Sequence, residues 1–532
     1  MLSSEAFRQS RNRWVLLVAL ALIPALHAVL VLGRIHPDEV YQVIEPAFAR
    51  VHGYGILAWE WDLARGGGIR NWAPPFFFAA LLKVCALLGI DNPRAYRTVL
   101  ELPQFGLHLA MLWAVFRYAR RRVDDDRWAL LGVALVALHG LVVLFAGRTM
   151  SESFSAAFLV LAVEAVDRAY HGELDGKALR NAGLLAGLWL GLSVVARYGS
   201  AVMVVALLLY IAATGRWRLL LFTAASGAAV ALLLGALDWK TWGAPFYSLV
   251  AYLKFNVTSG QAARTFGEAP WAFYVPWLVR ELPFWAWPAL LAVFLKERPR
   301  VSAPFIAAVA YCAAIFTTAH KEERFLYPGI VLFTLAAAPG AVRILRSLSN
   351  FQLRVLACAA CVGLSLLPMT YKDWPELSGD QFRAITYATR GDATGLLIVN
   401  NEGEWWSAGG YFYIGKNIPW AWRTGATRPA SSAQCGIDGS TAQSRSKIAP
   451  WPSCSPPASG RSTRLDARRY SPGDHQRVSA FSTQRSAPAA NPAAAAEFWS
   501  PSAGTPSPAS QRRLFQRRAS PAERLGGRVT SS

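Results

Sequence analysis

The chain is 532 residues long, 54% of them hydrophobic and 16% charged, with 21 tryptophans. Water-soluble chains carry about a quarter charged residues, so the composition excludes an ordinary soluble enzyme and points to a protein built largely in lipid. The net charge of +21 does not indicate a nucleic-acid partner. About half of it lies in residues 424–532, and most of the rest sits in short loops between apolar runs, where basic residues are a topology signal.

The first apolar run, 14–33, follows Arg8, Arg11 and Arg13, which places the N-terminus in the cytoplasm. No small-residue cleavage pattern follows the run, so it is expected to stay as an anchor. A long loop, 34–74, comes next. The run 76–90 is apolar but shorter than the roughly 20 residues a crossing needs, and it is expected to lie at the interface. The run 97–118 returns inward and ends at Arg117, Arg120, Arg121 and Arg122. Further spans are expected over 128–146, 153–170, 181–196, 201–214, 219–237, 277–295, 303–318, 326–341 and 353–368, giving about eleven transmembrane helices in an all-α integral membrane domain, 1–370. Basic loops then fall on one side throughout. Cys358-x-x-Cys361 lies inside a span and reads as packing at helical spacing.

A small extracytoplasmic α/β segment, 371–423, is expected beyond the last span, with a helix over 379–390 and strands over 395–400 and 411–414. From about residue 424 Ala, Ser, Pro, Arg and Gly dominate and apolar periodicity vanishes. The reading for 424–532 is a disordered basic tail, or a GC-rich coding region translated out of frame.

The topology brings polar and aromatic clusters to one face: His36–Glu39, Trp59–Trp61, Arg148 with Glu152, Arg197-Tyr198, the loop 238–271 and His320–Arg324. In His36-Pro37-Asp38-Glu39 a carboxylate at a membrane mouth suits a general base for an incoming hydroxyl, while a helix start explains the same pair. In His320-Lys321-Glu322-Glu323-Arg324-Phe325, His, Lys and Arg suit a phosphate or pyrophosphate; a solvated turn is the plain alternative. Arg148 and Glu152 are spaced for an i,i+4 ion pair. Arg197-Tyr198 fits an interfacial anchor, and the aromatic loop 238–271 fits an interfacial belt or ring stacking on a sugar or prenyl chain. Gly66-Gly67-Gly68 lacks the Lys-Ser/Thr ending of a phosphate loop, and no metal-ligand spacing appears, so neither cofactor nor metal is expected. A transporter would carry mid-membrane polar residues and an internal repeat, and the sequence suggests neither.

Taken together, His36-Pro37-Asp38-Glu39-Val40-Tyr41-Gln42, Glu45-Pro46-Ala47, Gly53-Tyr54-Gly55, Trp59-Glu60-Trp61 and Gly68-Ile69-Arg70-Asn71-Trp72 resemble the opening of the glycosyltransferase family 22 mannosyltransferases. His320-Lys321-Glu322-Glu323-Arg324-Phe325 resembles their second hallmark, with Gly147-Arg148-Thr149 and parts of the loop 238–271 between. The resemblance covers residues 34–340. It implies a GT-C fold and a polyprenyl (dolichyl-type) phosphate mannose donor used on the extracytoplasmic or lumenal face, with inversion at the anomeric carbon. It further implies a hydroxyl of a glycan or glycolipid as acceptor, as in the assembly of GPI anchors and dolichol-linked oligosaccharides. Another lipid-linked sugar is the alternative donor. The expected catalytic residues are Asp38 and Glu39; the expected substrate-binding residues are His36, Glu60, Arg148, His320, Lys321 and Arg324. The expected setting is a bacterial plasma membrane, or the endoplasmic reticulum membrane in a eukaryote.

Overall fold

A computed structural model describes residues 4–171, 174–296, 302–372, 379–400, 409–424 and 477–481. Among these, six helices are long and apolar enough to cross a membrane: Arg11–Leu30, Pro93–Val123, Gly176–Ala196, Trp217–Trp242, Glu323–Ser347 and Phe351–Tyr371. The other expected spans are shorter, more polar or interrupted. The run 128–146 divides into Asp126–Ala137 and Gly140–Phe145. At the break, buried His139 accepts the Leu141 N–H on Nδ1 at 3.2 Å, which leaves Nε2 to donate to the Glu281 carbonyl at 3.0 Å. That carbonyl belongs to a second break, where Tyr274–Glu281 gives way to Ala286–Lys296. Each interruption thus supplies the other with a hydrogen-bond partner away from water. Ala73–Leu87 has 15 residues, or about 22 Å of helix, short of a hydrocarbon core of about 30 Å.

The helix Tyr327–Ser347 forms the centre, with every residue from Tyr327 to Val342 buried. It packs against Ala303–Thr317, Ala286–Lys296, Asp126–Ala137 and Ser151–His171. Its first turn follows Glu323–Leu326, so the charged motif rides on the most enclosed element of the fold. The helices Gly176–Ala196 and Trp217–Trp242 meet on glycines spaced four apart. A Cβ on Gly187 would stand 2.1 Å from the Thr223 carbonyl oxygen, and one on Gly191 2.6 Å from the Val230 Cβ. Lipid supplies no hydrophobic drive between helices, so close backbone approach carries such packing. At the opposite end, Arg121 binds Glu164 at 2.9 Å and Asp167 at 2.8 Å.

The C-terminal segment starts as expected, with the helix Gly379–Ala388 and strand β1, Gly395–Asn400. Strand β2, Trp420–Thr424, lies parallel to β1, and β3, Arg477–Phe481, antiparallel on its other side, giving the order β2-β1-β3. The expected strand over 411–414 is instead a helix, Gly410–Ile414. Buried Glu45 accepts the Tyr411 N–H at 3.0 Å and the Phe412 N–H at 2.8 Å, fixing those donors as the first turn of a helix. The same carboxylate accepts the Ile56 N–H at 2.8 Å, so one side chain ties the first loop to the C-terminal segment. Most of the expected tail, 424–532, lies outside the described residues.

Candidate active site

The first span ends at Leu30, and the chain turns through His36 and Pro37 into Val40–Ile44 and Glu45–His52. This turn presents Asp38 on one side and Glu39 on the other. Asp38 is partly exposed. Its Oδ2 accepts from Arg324 Nη2 at 2.8 Å, across 286 residues of sequence, and His36 Nδ1 lies 3.1 Å from its Oδ1. Arg324 Nε also donates to Glu322 Oε2 at 2.5 Å. Glu322 Oε1 faces His320 Nε2 at 3.0 Å, and its Oε2 lies 3.7 Å from His36 Nε2. The two hallmark motifs therefore close into one ring in which acidic and basic side chains alternate.

Burial opposes the charge on Asp38, but Arg324 and His36 outweigh it and hold the carboxyl well below the usual carboxylate range. Glu322 is likewise lowered, burial being outweighed by Arg324 and by the hydrogen bonds from His320 and Arg324. The bond to Glu322 raises His320. Asp38, Glu322 and Arg324 therefore keep their charges at neutral pH.

Glu60 stands beside this ring, on the first loop. Its Oε1 accepts from Arg70 Nη2 at 2.8 Å and from Gln42 Nε2 at 3.1 Å. Burial raises its carboxyl, Arg70 opposes that shift, and the neighbouring Asp38 charge adds to it. Glycine makes the fold-back possible. The Gly68 N–H donates to the Glu60 carbonyl at 2.6 Å, and a Cβ on Gly67 would stand 2.1 Å from the Trp59 carbonyl oxygen. Trp242 Nε1 then holds the Arg70 carbonyl at 3.0 Å, with Trp242 stacked on Tyr247 and Trp61. The aromatic residues of the loop 238–271 thus include a brace for Arg70.

The expected site residues do not all meet. Glu39 is 1% exposed and faces the protein interior. Its Oε1 lies 3.7 Å from Arg97 and 3.6 Å from Arg148, and its Oε2 accepts the Ile35 N–H at 3.2 Å. Arg148 is fully buried, donates to the carbonyls of Gly33 and Val31, and makes its ion pair with Glu39 rather than Glu152. Successive residues at the turn diverge, which separates these two from Asp38. Lys321 also turns away: its Nζ donates to the Ala269 carbonyl at 3.2 Å and to the Thr318 carbonyl, bracing the loop before Trp271. His36, His320, Arg324 and Glu60 gather at or beside Asp38.

Three charged residues were missed as members of the site. Arg70 sits in the quoted Gly68–Trp72 motif, a lone cation ten residues after an acid. Glu152 was paired with the wrong arginine: it lies 2.7 Å from Arg197 and 3.6 Å from Arg324. Arg197, which in sequence fits an interfacial anchor, joins the site through Glu152. A charge at the end of a span on the same face is the signal that marks both Glu152 and Arg197. Among the described residues, no group of three or more His, Cys, Asp or Glu has the arrangement to hold a metal ion.

The class of fold is shared with solved membrane proteins. ArnT from Cupriavidus metallidurans bound to undecaprenyl phosphate superposes with a TM-score of 0.54 at 13% identity, over 76% of this chain and 85% of that one. Its apo form gives 0.50 at 12% identity, over 77% and 86%. The fold is the GT-C fold, and the chain is a multi-pass membrane protein. Residues 14–414 match the Alg9-like mannosyltransferase family, and the chain belongs to that family. Relatives include GPI mannosyltransferase 3 of Yarrowia lipolytica, 28% identical over 65% of this chain and 66% of that protein. GPI alpha-1,2-mannosyltransferase 3 of Xenopus laevis is 25% identical over 55% and 53%. Alpha-1,2-mannosyltransferase Alg9 of Drosophila melanogaster is 23% identical over 57% and 49%. The chain spans two thirds or less of the length of these curated relatives.

Proposed function

We propose that this protein is an inverting membrane α-mannosyltransferase. It moves mannose from a polyprenyl-phosphate donor to a hydroxyl of a glycan or glycolipid, on the extracytoplasmic or lumenal face. The observation that carries this reading is the 2.8 Å contact of Asp38 with Arg324, which sets a carboxylate base against a phosphate-binding cation from the far end of the domain.

Asp38 takes the proton of the acceptor hydroxyl as its oxygen attacks the anomeric carbon. The bond from that carbon to the phosphate oxygen breaks, and its electron pair leaves with the polyprenyl phosphate. Arg324 meets the growing charge, a fixed cation in a water-poor site. Before the donor arrives, Arg324 neutralises Asp38. As the donor phosphate takes the guanidinium, Asp38 loses the charge that suppressed its basicity and becomes a stronger base. His36 orients Asp38, and Glu322 holds Arg324 and His320 in register. The family membership and the names of the relatives support mannose as the sugar, and the alpha-1,2 linkage named for two of them is the first to test.

The test is transfer of labelled mannose by membranes expressing the chain, from polyprenyl-phosphate mannose, polyprenyl-phosphate glucose or a nucleotide-linked mannose, to a panel of GPI-type and oligosaccharide-lipid acceptors. The expected result is transfer from the lipid-linked mannose alone. Transfer from the nucleotide sugar alone overturns the donor assignment, and transfer of glucose alone overturns the sugar.

A further inference from the structure

The cationic side of the site holds a second guanidinium. Arg197 terminates the helix Gly176–Ala196, and its Nη1 lies 2.7 Å from Glu152 Oε1 and 3.3 Å from Ser151 Oγ. Arg324 Nη1 is 3.6 Å from the same Glu152 oxygen. Both guanidinium groups stand over the Phe325 ring, Arg197 with its carbon 4.7 Å from the centroid and Arg324 at 5.2 Å. Glu152 is fully buried. Arg197 is largely enclosed, and its Nε has no hydrogen-bond partner. The next residue, Tyr198, is tied through Ser248 to buried Asp238, so the segment carrying Arg197 is held from both sides.

Two guanidinium groups drawn to one ring and to Glu152 repel each other; Arg324 has Asp38 and Glu322 as further partners, whereas Glu152 is the one carboxylate paired with Arg197 among the described residues. An anion of higher charge settles that arrangement, and the proposed reaction makes one. The donor is a phosphodiester with a single negative charge. The departing polyprenyl phosphate is a monoester, which approaches two charges above its second pKa of about 6. A second cation therefore gains most as the bond breaks.

We propose that Arg197 is a second phosphate-binding residue, acting with Arg324 on the departing polyprenyl phosphate, and that Glu152 is the positioning residue that holds the two guanidinium groups at one seat. The inference rests on the polyprenyl-phosphate reading above and deepens it.

The experiment measures binding of a short-chain polyprenyl phosphate, and of the matching polyprenol, to the full chain in lipid nanodiscs between pH 5 and 8. In the native protein the phosphate should bind far better than the alcohol, and more tightly as pH rises through about 6 and the dianion forms. Arg197→Gln should weaken phosphate binding at least tenfold, flatten this pH dependence and leave polyprenol binding unchanged. Arg197→Lys keeps the charge but not the fork, and should lose less. Glu152→Gln should also weaken phosphate binding, and its effect should shrink in the Arg197→Gln background, a coupling that general loss of structure does not produce. In transfer assays, Arg197→Gln should lower kcat more than it raises KM for the donor. Native-like phosphate affinity and pH dependence in Arg197→Gln overturn this inference and leave the proposed function standing. A native protein that does not distinguish the phosphate from the alcohol overturns the proposed function itself. Should Arg197→Gln fail to fold, Arg197→Lys decides: native affinity with native pH dependence contradicts a phosphate contact by the Arg197 guanidinium.

Discussion

Asp38 and Glu39 are neighbours in sequence and occupy opposite environments. Asp38 has 24% of its side chain exposed and shares Arg324 with Glu322 in a ring at the rim of the fold. Glu39 has 1% exposed and is locked between Arg97 and Arg148, with Glu101 paired to Arg97 behind it. A charge at the rim has partners that can be exchanged, whereas a charge in the interior has partners that must stay. The first arrangement suits chemistry. The second fixes the backbone that presents it, an anchoring strengthened by the Thr149 hydroxyl bound to the Glu39 carbonyl at 3.1 Å.

Substitutions should separate the two environments. Asp38→Asn keeps the shape and removes the proposed base, so transfer should fall by about 10²–10⁴-fold, with thermal unfolding lowered less than in Glu39→Gln. Glu39→Gln leaves buried Arg148 without its carboxylate partner and Arg97 with Glu101 alone, which costs about 3–5 kcal/mol; a lowered unfolding temperature should accompany any lost activity. Comparing unfolding and rate on the same preparations checks both. If Asp38→Asn is the unstable variant and Glu39→Gln the stable inactive one, the roles are reversed.

The pH profile gives a finer test. Arg324 and His36 lower the Asp38 pKa in the free protein. Its contribution to stability is then present above its unfolded pKa and is lost as pH falls through the lower folded value. The acid limb of kcat/KM reports the free enzyme and that of kcat the complex. If the donor takes Arg324 from Asp38, the kcat limb should lie at higher pH by about 1–3 units, the usual effect of one opposite charge. Coincident limbs would contradict the exchange.

The smallest effect is expected at Lys321. It braces two carbonyls outside the ring, so Lys321→Gln should cost about 1.5–3 kcal/mol of stability and change donor KM little. A large rise in donor KM with unchanged unfolding would return it to the phosphate seat.

Much of this was legible in the sequence, for identifiable reasons. Basic loops marked one face, which brought His36–Glu39 and His320–Arg324 together before any contact was known. The short run 76–90 is indeed a short helix. Hydrophobic length could not show that His139 and Glu281 would satisfy each other at two helix breaks, because hydropathy is blind to such pairing. The direction of Glu39 was also hidden, since it depends on Arg97 from the helix Pro93–Val123 and Arg148 from the turn before Ser151–His171. The turn to helix at Gly410–Ile414 depends on Glu45, some 365 residues away, and alternation alone could not reveal it.

The central claim is that Asp38 serves the acceptor and Arg324 the donor across one bond. It is tested most directly by measuring donor binding and mannose transfer together in purified Asp38→Asn. Removing the carboxylate frees Arg324, so donor affinity should hold or rise while transfer falls at least a hundredfold. Transfer within tenfold of the native rate, or donor binding lost along with it, would contradict the assignment.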